Sequence, residues 1–274
     1  MALVAQRSIS VIFPAYNEGG NILQVVELAI QCVTSLFSDW EIIVVDDGSH
    51  DRTGELIDGL AKRHPRVRAV HHPCNRGYGA ALKTGIQRAS KELIFFSDAD
   101  RQFQLSELGR LLTWIEHYDI VIGYRAKRQD PWHRRLNAWG WNTLVRLLLG
   151  VQVRDINCAF KLFRSVVFQA INIEAVGAMV NTDVLVQATR MGFTIKEVPV
   201  THFPRLQGTP TGANIRVILK AFSELVWLYR KLRTIPPRVV ADDRRPQPQV
   251  QCVGRGAGRS AGGRWCQSIT RKRG

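Results

Sequence analysis

With 274 residues, 45 % of them hydrophobic, the chain can bury one sizeable core and at most a small appendage. No stretch reaches about 18 uninterrupted apolar residues, so the sequence predicts no membrane-spanning helix. The formal charge of +15 suits an anionic partner: membrane phosphate, nucleic acid or a phosphorylated substrate.

The first half alternates strand and helix patterns. Ser8–Phe13 reads as an apolar strand, and the residues before it lack the basic and apolar regions of a signal peptide. Ile22–Leu36 carries apolar residues at helical spacing (Ile22, Val25, Val26, Ala29, Ile30, Val33). Trp40–Val45 is a second strand and Thr53–Lys62 a second helix, capped by Ser49 or Asp51. Val67–Val70 reads as a short strand and Gly79–Arg88 as a helix. Leu93–Phe96 and Ile120–Ile122 complete the set, separated by Leu105–His117. Strands alternating with helices imply an α/β fold with a largely parallel sheet covered on both faces. Ligands in such sheets bind at the carboxyl ends of strands. The polar clusters fall there: Asn17-Glu18, Asp46-Asp47, and Asp98 with Asp100.

The second half is less regular. Trp132–Leu149 reads as a helix, Ala159–Phe163 as a strand, Asn181–Arg190 as a helix, Thr194–Val200 as a strand and Ile215–Leu232 as a helix. From Pro236 to Gly274 the chain turns to Arg, Gly, Pro and Gln, a composition that predicts a disordered tail. That tail holds nine Lys and Arg against two Asp, so +7 of the +15 resides in it. A nucleic-acid-binding protein is disfavoured, because its charge would be interleaved with aromatics on a fold. The scattered cysteines (Cys32, Cys74, Cys158, Cys252, Cys266) share no metal-ligand spacing and read as reduced thiols of a cytosol-like compartment.

Asp98-Ala99-Asp100 follows the buried run Leu93–Phe96. Carboxylates two residues apart at a strand end can share one hard cation, and Mg²⁺ takes one or two carboxylates plus phosphate oxygens. Such a cation neutralises a diphosphate leaving group. At the first strand's exit there is no Gly-x-Gly-x-x-Gly, which disfavours a dinucleotide fold. Tyr16 there can stack on a nucleobase. Glu18 can accept from ribose hydroxyls, or simply favour a helix N-terminus. Of Asp46 and Asp47, one can cap the turn while the other takes a donor from a base or sugar.

These segments together resemble family 2 glycosyltransferases of GT-A fold, nearest the dolichyl- and polyprenyl-phosphate sugar synthases. The resemblance rests on Phe13–Glu18, Val44–Ser49, Asn75–Gly79, Asp98–Gln102, Gly123–Arg125 and Asp155–Phe163, spread over residues 8 to 232. It implies that Pro14, Tyr16, Glu18, Val45 and Asp47 line a nucleoside pocket. Asp98, Asp100 and Gln102 would hold Mg²⁺ or Mn²⁺, with Ala99 beside the donor sugar and Arg125 near the phosphates. Arg205–Thr211 matches a loop usually written Arg-x-x-Gly-x-Ser-Lys, so Arg205 retains a phosphate role while Thr211 replaces the lysine. Residues 1–235 would form the glycosyltransferase domain, with a nucleotide-sugar half (8–125) and an acceptor half (126–235).

The implied reaction moves a hexose from GDP-mannose or UDP-glucose to polyprenyl phosphate, with inversion, on the cytoplasmic face of a membrane. The implied partners are the donor, the lipid acceptor, the membrane surface and a membrane-anchoring protein; nucleic acid is not among them. Arg134, Arg135 and Arg205 would gather the acceptor phosphate. The helix pattern at 132–149 sets Trp and Leu on one side and Arg on the other, which suits either a membrane interface or a core helix with a solvated basic face. Ile215–Leu232 admits the same two readings. A phosphate acceptor is already anionic and needs no strong base. A soluble or saccharide acceptor would need one, for which Asp155 and Asp183 are the candidates.

Overall fold

The computed structural model describes residues 7–126, 140, 143–177, 179–204 and 223–231. The predicted disordered tail, Arg134, Arg135, Arg205 and Thr211 lie outside these described residues. The chain order is β1 (Ser8–Ala15), α1 (Ile22–Leu36), β2 (Asp39–Asp46), α2 (Thr53–Arg63), β3 (Val67–His71), α3 (Tyr78–Arg88) and β4 (Leu93–Phe96). It continues with α4 (Leu108–Leu112), β5 (Ile120–Arg125), β6 (Lys161–Arg164), α5 (Ser165–Ala170), α6 (Val180–Arg190) and β7 (Ile195–Val200). Residues 143–149 and 223–231 are also helical.

The seven strands form one sheet in the order β3-β2-β1-β4-β6-β5-β7. β6 is antiparallel to both neighbours, while the other pairings are parallel. Side chains alternate across β1, so Val11 and Phe13 face one layer and Ile12 the other. The first layer holds α1, α2 and α4, through Ile22, Val26, Ile57, Leu60 and Leu111. The second holds α3 and α6, through Leu82, Val184 and Leu185. Coverage on both faces explains why β2 and β4 are apolar runs without polar alternation. Each fully buried Phe or Ile contributes about 1.5–3 kcal/mol relative to exposure, and Phe95, Phe96, Phe160 and Phe163 together pin β4 to β6 and the segment entering it.

Two sequence expectations change. The strand expected over Ala159–Phe163 begins at Lys161, because Cys158–Phe160 form the buried loop that feeds it. On residues 223–231, Leu225 and Leu228 pack into the core, leaving Val226 and Trp227 exposed. The stripe that admitted a membrane reading is therefore packed on the protein there. On residues 143–149 the stripe residue Leu147 is 79 % exposed, while Val145 and Leu149 are buried.

Candidate active site

Parallel pairing brings the carboxyl ends of β1, β2 and β4 together. Ala15 is in register with Asp46, Ile12 with Phe96, and the Ser97 N–H donates to the Ile12 carbonyl. Asn17 and Arg101, the non-glycine residues with positive φ among those described, follow β1 and β4 here (φ 55° and 62°). Sparsely populated backbone conformations of this kind cluster at functional sites.

The β1 and β2 exits are laced together by neutral donors. The Asn17 N–H donates to Ser49 Oγ (2.9 Å), and the His50 N–H donates back to Asn17 Oδ1 (2.9 Å). The Glu18 N–H donates to Thr53 Oγ1 and the Gly19 N–H to Asp51 Oδ2. Asp51 also accepts from the Thr53 N–H, so it rather than Ser49 caps α2. Tyr16, 40 % exposed, stands edge-on to His50 at 6.4 Å and offers a ring face at the mouth of the site. Glu18 is half-buried, its carboxylate accepting from Asn21 Nδ2.

Pro14 and Val45 are in register and buried, and Val45 packs on Ile43 and Ala81. They lie at the carboxyl ends of β1 and β2, one residue before Ala15 and Asp46. Asp46 takes the turn, accepting from the Ser49 N–H and bonding His71 Nδ1. Asp47 is 2 % exposed and bonds His72 Nδ1 (2.6 Å) and the N–H groups of Arg76 and Gly77. It thus fixes the start of α3, where the helix dipole also favours a carboxylate. His72 reaches Thr84 Oγ1 through its other nitrogen. Gly48, at φ 69°, lies so close to the Cys74 backbone that a Cβ would meet it at 2.4 Å.

Asp98 is half-buried and opens on a cavity of about 800 Å³ shared with Arg101, Phe103, Leu28 and Phe203. Ala99 and Asp100 are buried behind it, and Asp100 Oδ1 accepts from the Gln102 N–H (3.1 Å). The Gln102 side-chain nitrogen donates to the Phe203 carbonyl, tying this loop to the chain just before Arg205. Among the described residues no three His, Cys, Asp or Glu side chains gather around one point. A hard cation here would take carboxylate oxygen from Asp98 and Asp100 and complete its shell with water and phosphate, a donor set that fits Mg²⁺ or Mn²⁺.

Arg125, at the end of β5, is held by Asp155 through Nε to Oδ2 (2.7 Å) and Nη2 to Oδ1 (2.9 Å). The pair is largely buried, so the guanidinium is fixed in orientation. The same pairing makes Asp155 a poor base. Asp183 is fully buried and accepts from the Glu174 and Ala175 N–H groups and from Gln187 Nε2. It caps and positions a loop.

Sequence reading passed over Lys161 and Tyr78. Lys161 is fully buried and donates to the Cys158 carbonyl and to Asn181 Oδ1 (3.0 Å), beside the Phe96 ring. Burial lowers its pKa to about 8, against the raising effect of Cys158, Asp155 and Asp98. Burial, and then the Asp98 carboxylate, hold the Tyr78 phenol well above its ordinary range. The available signal was a lysine inside an otherwise apolar strand, Phe160-Lys161-Leu162-Phe163.

Comparison with known proteins agrees with this architecture. The chain is 35 % identical over 221 residues to the polyprenol monophosphomannose synthase of Mycolicibacterium smegmatis, covering 75 % of this chain and 82 % of that protein. It is 31 % identical over 248 residues to the glycosyltransferase AglD of Haloferax volcanii, covering 87 % of this chain but only 39 % of AglD. Among solved structures, glucosyl-3-phosphoglycerate synthase from Mycobacterium tuberculosis with phosphoglyceric acid superposes at a TM-score of 0.67 and 22 % identity, covering 84 % of this chain and 82 % of that one. The same enzyme has been solved with Mn²⁺, UDP-glucose and phosphoglyceric acid (TM-score 0.64). The sequence profile of glycosyl transferase family 2 matches residues 10–171. The chain belongs to that family and is a glycosyltransferase of GT-A fold.

Proposed function

We propose that this glycosyltransferase moves a hexose from GDP-mannose or UDP-glucose to polyprenyl phosphate, with inversion, on the cytoplasmic face of a membrane. The observation that carries the reading is the meeting of the β1, β2 and β4 carboxyl ends, where Asp98 opens on a cavity of about 800 Å³ lined by α1 and the loop after β4, with Asp100 buried behind it. The name of the mycobacterial relative, a polyprenol monophosphomannose synthase, supports the acceptor class. The engaged states of Asp155 and Asp183 support it independently, since an anionic phosphate needs no base while a sugar hydroxyl does.

In this mechanism Tyr16 stacks on the base and the Asp47-held loop shapes the nucleoside side. Asp98 and Asp100 would hold Mg²⁺ or Mn²⁺, which would neutralise charge developing on the leaving diphosphate. An acceptor phosphate oxygen bonds to the anomeric carbon as the bond to the diphosphate oxygen breaks, and that electron pair leaves with the nucleoside diphosphate. Arg125, fixed by Asp155, orients the donor phosphates. Arg134, Arg135 and Arg205 gather the acceptor and offset repulsion between the anions. Among the described residues no helix is long and apolar enough to cross a membrane; exposed apolar residues such as Leu147, and a membrane-anchoring partner, would supply contact with the lipid.

The test offers radiolabelled GDP-mannose and UDP-glucose, with Mn²⁺, to vesicles containing polyprenyl phosphate. Label from one donor is expected in the organic phase. Label that stays aqueous with both donors, or reaches only a soluble acceptor, overturns the acceptor assignment.

A further inference from the structure

Where β3 ends, the consecutive histidines His71 and His72 meet the consecutive aspartates that end β2. His72 turns toward α3: its Nδ1 bonds Asp47 and its Nε2 bonds Thr84 Oγ1 (2.9 Å). A hydroxyl can donate, so both nitrogens are satisfied on a neutral ring. His71 turns the opposite way, toward α2, as alternation along a strand requires. Its Nδ1 lies 3.1 Å from Asp46 Oδ2 and its Nε2 3.0 Å from Asp58 Oδ1. Ionised carboxylates only accept, and a neutral imidazole donates through one nitrogen alone. Both contacts are hydrogen bonds only when both ring nitrogens of His71 carry a proton.

The packing around the ring fits this bridge. Gly54 and Asp58 are four residues apart on one face of α2, and a Cβ on Gly54 would meet Asp46 Oδ2 at 2.9 Å and the His71 ring at 3.6 Å. The missing side chain lets α2 close over the pair. Among the described residues, the charged groups that face the ring are Asp46 from β2, which is buried, and Asp58 from α2, which is exposed. Burial alone would lower the pKa of His71; the bonds to Asp46 and Asp58, with their charges, outweigh it and raise it.

Both ends of the bridge reach the site. Asp46 Oδ1 holds the turn to Ser49, whose Oγ takes the Asn17 N–H. α2 begins at Thr53, whose Oγ1 takes the Glu18 N–H. We propose that His71, as an imidazolium, is a positioning residue that clamps α2 to the β2 exit and so fixes the nucleoside side of the site, with donor affinity falling when the ring loses its proton. The contact then lost is the one to exposed Asp58, because the remaining N–H stays on buried Asp46. The inference rests on the donor reading of the β1 and β2 exits given above. Because the folded-state pKa is raised, the clamp is complete below the ordinary histidine value of about 6.5 and is lost as pH rises through the higher folded-state value.

The experiment measures binding of GDP-mannose and UDP-glucose by calorimetry with Mg²⁺, from about pH 6 to about pH 8.5, on the full chain and its His71→Gln and Asp58→Asn variants. Nitrogen NMR of the imidazoles, assigned by the signals that His71→Gln removes, follows the His71 proton itself. Wild type should lose affinity by about two- to fivefold over that range, the size of one partly exposed ion pair. Asp58→Asn should hold its affinity throughout, since the amide N–H can donate to Nε2 of a neutral ring, and its His71 should titrate at lower pH. His71→Gln should be equally flat, at the weaker level. Variants that lower affinity at every pH and keep the wild-type slope would show a structural role alone and overturn the proposal. So would a His71 that titrates at or below about 6.5 in wild type, or a donor that binds wild type with no dependence on pH. If neither donor binds wild type at any pH, the donor reading falls and this inference with it.

Discussion

The two sides of the site hold their carboxylates in opposite ways. On the β1–β3 side, Asp46, Asp47 and Asp51 are met by backbone N–H groups, hydroxyls and histidine nitrogens. On the β4–β6 side, charge is set near charge: Arg125 on Asp155, and Lys161 acting on Asp98. Neutral donors, His71 apart, fix the geometry of a carboxylate without setting a formal positive charge beside it. Buried charges keep a field in a low-dielectric setting, which is what stabilising a departing diphosphate requires. One side of the molecule is built for shape and the other for electrostatics.

The sharpest way to break that comparison is Asp100→Ala. Turnover should fall by at least about a thousandfold with donor and metal saturating. The fold should survive, because Asp100 lies in the loop after β4 and losing its bond from the Gln102 N–H costs about 1 kcal/mol. Steady-state rates and a thermal melt check both, and full activity would end the metal role. Next in size is Asp155→Asn, which takes from the largely buried Arg125 guanidinium the carboxylate that bonds its Nε and Nη2. Removing one partner of such a pair costs about 3–5 kcal/mol, to be read by denaturant titration, with a loss of kcat alongside. Asp47→Asn probes the other side. Its amide nitrogen would face N–H donors now bound by carboxylate oxygen, costing about 1–3 kcal/mol. The kinetic effect should fall on the donor's KM more than on kcat. A pure kcat loss would erase the division between the two sides.

How much of this could be read from sequence follows the same division. The β1–β3 side is made of consecutive βα units, so its loops are close in sequence and the strand-end rule sufficed to find Asn17, Asp46 and Asp47. The exposed ring of Tyr16 and the open position of Asp98 follow from the same rule. Pro14 and Val45, which the resemblance puts at the nucleoside pocket, are buried where β1 and β2 end, a burial that the apolar runs around them foretell. The β4–β6 side depends on β6 inserting antiparallel between β4 and β5, although it follows both in the chain. No local pattern announces that insertion. It brings Asp155 to Arg125 across 30 residues and Lys161 to Asn181 across 20. Asp155 was consequently read as a candidate base, while Lys161 was passed over inside an apolar run.

The smallest predicted effect lies at the far end of β2, where Glu41 asks whether a carboxylate held largely by neutral donors contributes stability alone. Burial by itself would raise its pKa. Hydrogen bonds from Ser10 Oγ (2.7 Å), the Ser90 N–H (2.7 Å) and Ser90 Oγ (2.9 Å), with one from Arg68 Nη1 (3.1 Å), outweigh burial and hold it below the usual glutamate range. A folded-state pKa below the unfolded value of about 4.3 means that the ionised form stabilises the fold. That contribution is fully present above about pH 4.3 and is lost as pH falls through the lower folded-state value. Glu41→Gln should therefore melt below wild type at pH 7, and the gap should narrow on acidification through that window. A gap that stays constant from neutral pH to pH 3 would contradict the hydrogen-bonded carboxylate, and a change in turnover at pH 7 would show that this end of β2 is coupled to the site after all.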